Sequence, residues 1–441
     1  MEPASAPRPV LTRKEIFRAW FPLALSWMFM AADALLFSGF VGHLPDATLA
    51  LAAWGGIVFA VSLLIEGPVI MLLAASTALS RDWESFRRLR RWTLFLGGGL
   101  TLLHALVAFT PLYDFVARVL LDAAPELLEP GRTGLRIMLP WTGMIAWRRF
   151  LQGVLIRFDR ARLVAVGTAV RVAAVAAVMA LGAWGLGLSG IVTGSCAIAA
   201  GVTAEALFVS WAAAPILRGP LRRARPDPSH PPLDGRGFLR FYAPLAMTPL
   251  LTLLLQPLGA GAMGRMPEEI LSLAAWQPVH GMVFLTRSLG FAWNEVVVSR
   301  LDRPGAAGAL RSFTRLLAAG TTGLLLLLAV TPLAPLWFRG VFGLEAEVAE
   351  VAESAMLLAV LMPGYQCLQS WYQGVLVHRR RTRGVTEAVV LYLVVASLGL
   401  GLGVWVGSVR GISWALFAFT AGGIAQTLWL RHRARPFLAG S

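Results

Sequence analysis

Long apolar runs alternate with short polar or basic breaks along this chain, and no stretch shows a strict in/out alternation. Reading each run up to the next charge cluster or Pro/Gly break gives twelve spans: 17–41, 48–79, 92–116, 134–156, 163–186, 189–214, 237–262, 270–298, 312–338, 352–377, 384–407 and 411–431. About 20 apolar residues cross the hydrocarbon core of a bilayer as a helix, so each run is long enough to span. Continuous rather than alternating hydrophobicity excludes a membrane β-barrel. The predicted fold class is an all-α polytopic membrane protein with twelve transmembrane helices.

Composition agrees with this pattern. Hydrophobic residues make up 57% of the 441 and charged residues 14%, against about 25% charged in a soluble chain; mean hydropathy is +0.67. The net charge of +15 would suggest a nucleic-acid partner only if the positive residues lay on a soluble surface. Instead, 29 of the 39 Lys and Arg fall on the N-terminal tail, the even-numbered loops, the C-terminal tail and the span ends beside them. Arg87, Arg88, Arg90 and Arg91 mark one basic loop, and Arg379, Arg380, Arg381 and Arg383 another. Positive charge gathered on one side of the spans is a topology signal. It predicts a multi-pass protein of the cell's inner membrane with both termini cytoplasmic and the acidic loop Glu345, Glu347, Glu350 and Glu353 outside. The expected partners are the bilayer and a small-molecule substrate, with no nucleic acid and a monomeric chain. Cys196 and Cys367 lie far apart inside apolar runs and offer neither a disulfide framework nor metal spacing. A polar, Pro-rich start followed by an over-long apolar run predicts no cleavable signal peptide.

An internal repeat organises the chain. Residues 42–54, GHLPDATLALAAW, and 264–276, GRMPEEILSLAAW, share seven identical positions at a shift of 222. The same shift pairs Pro22-Leu23-Ala24 with Pro244-Leu245-Ala246 and Trp20 with Tyr242. A shift of 221 pairs Gln152-Gly153-Val154-Leu155 with Gln373-Gly374-Val375-Leu376, Gly190-Ile191 with Gly411-Ile412, and Ala204-Glu205 with Ala425-Gln426. Several matches in register indicate duplication. Six spans per copy is an even number, so the copies enter the membrane in the same sense and form parallel repeats with a site expected between them. The predicted organisation is a tail at 1–16, a first lobe at 17–216, a basic linker at 217–236, a second lobe at 237–431 and a tail at 432–441.

A first span opening with proline, followed by Val41-Gly42 and Leu51-Ala52-Ala53, resembles the multidrug and toxic compound extrusion (MATE) family of the MOP flippase superfamily. The resemblance implies two parallel six-helix lobes, an architecture shared with lipid and polysaccharide flippases. Shorter blocks are similar to the progressive ankylosis family, which in animals exports pyrophosphate and related anions. They are Phe21-Pro22-Leu23-Ala24-Leu25, Trp54-Gly55 with Glu66-Gly67-Pro68, Ala146-Trp147, and Trp276-Gln277-Pro278-Val279 with Leu285-Thr286. The extrusion family's acidic residue in its first helix would fall about where Phe37 stands, one turn after Asp33.

Charge inside a bilayer is costly, about 2.5–3.5 kcal/mol per residue at mid-helix, so each such residue asks for a reason. Asp33 lies mid-span in the first run. Glu66 lies mid-span in the second, beside Gly67-Pro68, where the missing N–H should kink the helix and free a carbonyl. By the repeat Glu66 corresponds to Ser288, next to Arg287. Opposite charges at matching depth either pair across the cleft or are satisfied each within its own lobe. Arg148 and Gln152 share a helix face, and Gln369 and Gln373 repeat that spacing in the second copy, which suggests a lined cavity; snorkelling of Arg148 and Arg149 to the membrane edge is the alternative. Arg171 sits deep in its span and has Tyr392 as its mate. His280 is mid-span, a hydrogen-bonder or a ligand. Glu205, with Gln426 as its mate, joins Asp33 as an ion-coupling candidate for H+ or Na+. Glu387 is four residues past Arg383 and reads as a local ion pair. Trp54 and Trp276 read as interfacial anchors, and Gly97-Gly98-Gly99 as a close-packing site.

There is no P-loop, no His-x-x-x-His pair and no G-x-S-x-G, so no catalytic residues, metal or cofactor are predicted and the chain is not expected to be an enzyme. The function these features predict is secondary transport by alternating access. The arginines inside the spans lean toward a phosphate- or carboxylate-bearing solute. The rivals are a flippase of lipid-linked glycans, cation-coupled multidrug efflux on the same fold, and, most distantly, a membrane-embedded enzyme or scaffold.

Overall fold

The structure is a computed structural model that describes residues 11–224, 234–379, 381 and 383–438. Most of the N-terminal tail, the middle of the 217–236 linker, Arg380, Thr382 and the last three residues lie outside it. Among the described residues there is only helix and turn.

The long helical segments are α1 (Arg13–Val41), α2 (Ala47–Leu79), α3 (Trp83–Phe109), α4 (Pro125–Ile137 continued by Leu139–Arg157), α5 (Ala161–Gly185), α6 (Gly190–Arg223), α7 (Gly235–Met263), α8 (Glu269–Phe291 continued by Trp293–Arg300), α9 (Ala306–Val330), α10 (Ala346–His378), α11 (Arg383–Val406) and α12 (Gly411–Leu438). Ten of them are long and apolar enough to cross a membrane; the interrupted α4 and α8 are not among the ten. Leu11, Ile16, Leu430 and Ala434 are buried in one cluster, with Phe437 and Leu438 packed against it, so both ends of the chain lie on one side of the bundle. That side is called here the terminus side, and the opposite one the far side.

Local structure follows the duplication. The short turn Leu112–Asp114 and the wide turn Phe115–Leu120 recur as Leu333–Pro335 and Leu336–Val341, at a shift of 221. Thr110 and Thr331, at the same shift, each bond back to a carbonyl four residues earlier, Leu106 and Leu327. The repeated Pro-Asp/Glu motif ties the loop before α2 or α8 to the start of the last helix of its own half. Asp46 accepts the Gly190 N–H with both oxygens at 2.9 and 3.0 Å. Its mate Glu268 meets Arg410 at 2.7 Å, while Pro267 O accepts the Gly411 N–H.

The two halves meet on the far side through small residues. A Cβ at Gly55 would sit 3.1 Å from the Leu273 carbonyl, and one at Gly56 2.8 Å from a Leu273 methyl. Trp54 is 1% exposed, stacked on Phe37 at 4.3 Å, and Trp276 is 4% exposed. Both tryptophans are therefore buried and are not interfacial anchors: Trp54 stacks between Phe37 and Phe59 of its own half, and Trp276 lies in the seam against Gly55. Two polar contacts reinforce this side. Arg265 donates to the carbonyls of Val119 and Leu120 in the other half at 2.9 and 3.2 Å, and Glu269 accepts the Ala124 N–H at 2.7 Å.

On the terminus side each half is overlaid by the first helix of the other. Trp20 of α1 donates to the Leu289 carbonyl at 2.9 Å, and Tyr242 of α7 donates to the Pro68 carbonyl at 2.6 Å. Donors and acceptors correspond across the repeat: Tyr242 to Trp20 by 222 and Leu289 to Pro68 by 221. α2 is broken where the sequence requires it. Its helix stops at Glu66, Gly67–Val69 forms a tighter turn, and helix resumes at Leu72.

Three expectations change. The run Arg87–Arg91 is not a loop but lies in the first turns of α3, because Asp82 caps that helix, accepting from Glu84 N and Ser85 N at 2.9 and 3.0 Å. The acidic residues after Glu345 open a helical segment, Ala346–Met356, where negative charge suits the positive end of the helix dipole. In the glycine run, only Gly97 is pressed, a Cβ there lying 2.9 Å from that of Ala146; Gly98 and Gly99 face open space. The Arg383–Glu387 pair is present at 3.1 Å, and Arg433 joins it at 3.2 Å.

Candidate functional site

In the first half the helices bring six charged side chains together: Asp33 from α1, Glu66 from α2, Arg148 and Arg149 from α4, Arg171 from α5 and Glu205 from α6. Gly167 and Gly201 permit this by letting α5 and α6 close on each other. A Cβ at Gly201 would lie 3.2 Å from the Arg171 carbonyl, and one at Gly167 3.4 Å from Glu205 Cγ. Glu205 is the hub and is fully buried. One of its oxygens takes the Arg148 guanidinium, and the other accepts Gln152 Nε2 at 3.0 Å. Arg171 Nε lies 3.1 Å from Asp33 and 3.7 Å from Glu205. Arg148 therefore does not snorkel: an ion pair inside the half holds it, which a low-dielectric setting favours over an isolated charge. Phe37, one turn past Asp33, is buried against Trp54.

Glu66 stands apart. It is 5% exposed, forms no ion pair among the described residues, and one carboxylate oxygen has no hydrogen-bond partner. The charges whose fields reach it are those of Arg149, then Arg148 and Arg171, all from its own half. Arg287 instead donates to Gln366 Oε1 at 2.8 Å and lies over the rings of Phe291 and Tyr365 at 5.5 and 5.9 Å. The Glu66–Arg287 pair is thus absent in this arrangement: Arg287 is engaged by Gln366 and two aromatic rings of its own half, and Glu66 is left without an ion pair among the described residues.

The second half repeats the geometry without the charge. Gln369 and Gln426 stand where Arg148 and Glu205 do, at a shift of 221. Gln369 Nε2 lies 3.1 Å from Gln426 Oε1, 3.0 Å from the Gly423 carbonyl and 3.1 Å from Thr427 Oγ1. Gln373, one turn on, is half-buried. His280 is stacked between Trp276 and Phe284, with centroids at 5.6 and 6.1 Å. Tyr365, Gln366 and Tyr242 were not singled out by sequence reasoning. The signal for Gln366 was present, since Gln366, Gln369 and Gln373 follow 3- and 4-residue steps along one face of α10. Tyr242 carried only its match to Trp20.

The chain is thus a bundle of two like halves, packed on the far side and enclosing buried charge. Solved structures with that fold are similar along nearly the whole chain. An inward-facing multidrug resistance MATE transporter of the MOP superfamily superposes with a TM-score of 0.70 at 14% identity, covering 96% of this chain and 99% of its own. The lipid II flippase MurJ in an inward closed conformation gives 0.66 at 15% identity, covering 95% and 87%. A MOP superfamily transporter from Pyrococcus furiosus, described as having a binding pocket of reverse polarity that suggests a different function, gives 0.58 at 16%, covering 97% and 99%. The chain has the MATE-like fold of the MOP superfamily. No family model and no curated protein sequence matches it.

Proposed function

We propose that this chain is a secondary transporter of the inner membrane that works by alternating access and carries an anionic small solute. The observation that carries the choice of substrate is Arg287. The first-half arginines Arg148 and Arg171 are engaged by Glu205 and Asp33, so their charge is spent within the protein and cannot argue for an anion. Arg287 stands in the other half: among the described residues no carboxylate pairs with it, and its surroundings are an amide and two aromatic rings, whereas Arg149, also outside any ion pair, lies in the field of Glu66. A guanidinium so placed offers a fork of donors to a carboxylate or phosphate. The short blocks that resemble the progressive ankylosis family point the same way. The two halves are packed together on the far side here, and the positive-inside rule makes the terminus side the cytoplasm. The driving force is a gradient of H+ or Na+.

A flippase reading has one observation in its favour. A cavity of about 580 Å³ lies near the far side between α1, the end of α5 and the turn at 337–342, lined by Leu35, Leu36, Phe40, Trp184, Trp337 and Phe342. It is apolar and suits a lipid tail.

Flux in proteoliposomes decides between them. Pyrophosphate, longer polyphosphates, citrate and cationic dyes are offered in turn, with wild type and Arg287→Gln compared. The expected result is transport of an anion that Arg287→Gln abolishes. Transport of a dye alone, or of an anion unaffected by Arg287→Gln, overturns the anionic site. A reporter after Ser441 should be cytoplasmic and one in the 345–353 segment external.

A further inference from the structure

Pairing in the first-half cluster leaves one charge of each sign over. Glu205 engages Arg148, and Asp33 engages Arg171. Arg149 and Glu66 remain. Neither takes part in an ion pair within 4.0 Å among the described residues, and both Glu66 Oε2 and Arg149 Nε are buried without a hydrogen-bond partner. Burial without a pair disfavours the charged form of a carboxylate, and uptake of a cation or a proton relieves that cost. A metal cation needs several oxygen ligands. The charged groups that reach Glu66 are the guanidiniums of Arg149, Arg148 and Arg171, which oppose any cation, a proton included, so the number of ligands decides. A proton removes the charge in place and needs no further ligand.

The position of Glu66 gives that proton something to control. It is the last residue of its helical segment, and the next two, Gly67-Pro68, form the break in α2. That break is held from the other half. Tyr242 of α7 donates to the Pro68 carbonyl, and a Cβ at Gly67 would lie 2.8 Å from Leu250 of the same helix. Any movement of α7 against α2 therefore acts on the turn that carries Glu66.

Resting on the transporter reading above, we infer that Glu66 is the site of the coupling proton. In the far-side-closed arrangement the carboxyl holds the proton as an O–H. When α7 shifts against α2, Arg149 closes on the carboxylate and the proton leaves to water on the side then open; no other bond forms or breaks. Asp33 and Glu205, already paired, are positioning residues that fix the arginines.

The experiment reads conformation, so it needs no substrate. Glu126 and Glu347 are exposed on the far side, one in each half. Replacing both with cysteine, in full-length protein freed of Cys196 and Cys367 and held in lipid nanodiscs, gives a spin-label pair across the far-side seam. The expected result is a distance distribution that changes from mildly acidic to mildly alkaline pH. Glu66→Gln should stay on the acidic distribution throughout, while Glu84→Gln, at an exposed carboxylate outside the cluster, retains the pH response. A pH response unchanged in Glu66→Gln, or none in the parent, overturns the proposal. Proteoliposome flux of pyrophosphate and citrate separates this from the wider reading. If neither anion moves while the distances still follow pH through Glu66, the proton site stands and the anion reading falls. If an anion moves and the distances ignore pH, the proton site falls alone.

Discussion

The seam between α4 and α6 and the seam between α10 and α12 occupy the same place in the two halves and are built from different chemistry. Arg148 and Glu205 form a buried ion pair where Gln369 and Gln426 form an amide pair, both at a shift of 221. The second seam is also fully served by neutral groups, the Gly423 carbonyl and the Thr427 hydroxyl. What the fold needs at this point is a polar cross-link between two helices, since a lone polar group there would be unsatisfied in lipid. Charge is an addition made in one half only. It recruits Arg171 and, through it, Asp33 on α1, so the first half holds its leading helix by electrostatics while the second does not.

The largest expected effect tests that difference. Arg148→Gln strands Glu205 with a weaker partner and should cost about 3–5 kcal/mol of stability, whereas exchanging both members of a buried pair for neutral groups is often near neutral. Arg148→Gln/Glu205→Gln, which gives the first half the second half's seam, should recover most of the loss in thermal unfolding of purified protein. If the single and double changes simply add, the pair is not the unit described here. The converse change is smaller. Gln426→Glu places a carboxylate in the neutral seam, but Gln369 Nε2 still offers it a donor, so the loss should be about 1–3 kcal/mol. Adding Gln369→Arg should restore part of it in the same assay.

How much of this was legible in the sequence depends on what each residue answers to. The duplication, the all-helical class and the break at Gly67-Pro68 follow from local rules, because apolar length, repeated motifs and a missing N–H act wherever the chain lies. The i, i+4 faces of α4 and α10 were legible too, and they led to Gln152 and Gln369. Partners were not. Glu66 and Arg287 match in depth, but which helices stand beside them is set by tertiary packing, and their neighbours come from their own halves. Trp54 carries the same amphipathic signature as a headgroup anchor; only its stacking on Phe37 and Phe59 shows it to be core. Arg87 to Arg91 look like a loop by charge, yet the Asp82 cap upstream makes them helix.

The far-side latches extend the comparison, since His43 and Arg265 are mates by the 222 shift and touch equivalent turns. His43 bonds only the Gly39 carbonyl of its own helix, with its ring against Gly343. Arg265 reaches two carbonyls of the other half and comes within 3.9 Å of Asp122. Arg265→Ala should therefore widen the far-side distance distribution of the Glu126–Glu347 label pair, by a loss of about 1.5–3 kcal/mol discounted for partial exposure. His43→Ala should change it much less. Equal effects would mean that the seal rests on the Gly55–Leu273 contact and neither latch matters.

The smallest effect concerns the two exchanged hydrogen bonds on the terminus side. Tyr242→Phe removes only the hydroxyl that donates to Pro68, and Trp20→Phe removes the indole N–H that donates to Leu289. A single neutral hydrogen bond contributes about 0.5–1.5 kcal/mol net, so each change should lower stability by that order, and Trp20→Phe by somewhat more because the smaller ring also loosens its packing. The two acceptors differ in what depends on them. Leu289 lies inside a regular helical segment of α8, whereas Pro68 lies in the tight turn directly after Glu66. Losing the bond to Leu289 should cost stability alone. Losing the bond to Pro68 should also blunt the pH response of the far-side distances, because the turn beside Glu66 is then no longer tied to α7. If both variants blunt it alike, the exchanged first helices act as a symmetric pair and the mechanical asymmetry assigned to Glu66 is lost. A response blunted by Tyr242→Phe and untouched by Trp20→Phe would place the moving part in the first half's broken helix.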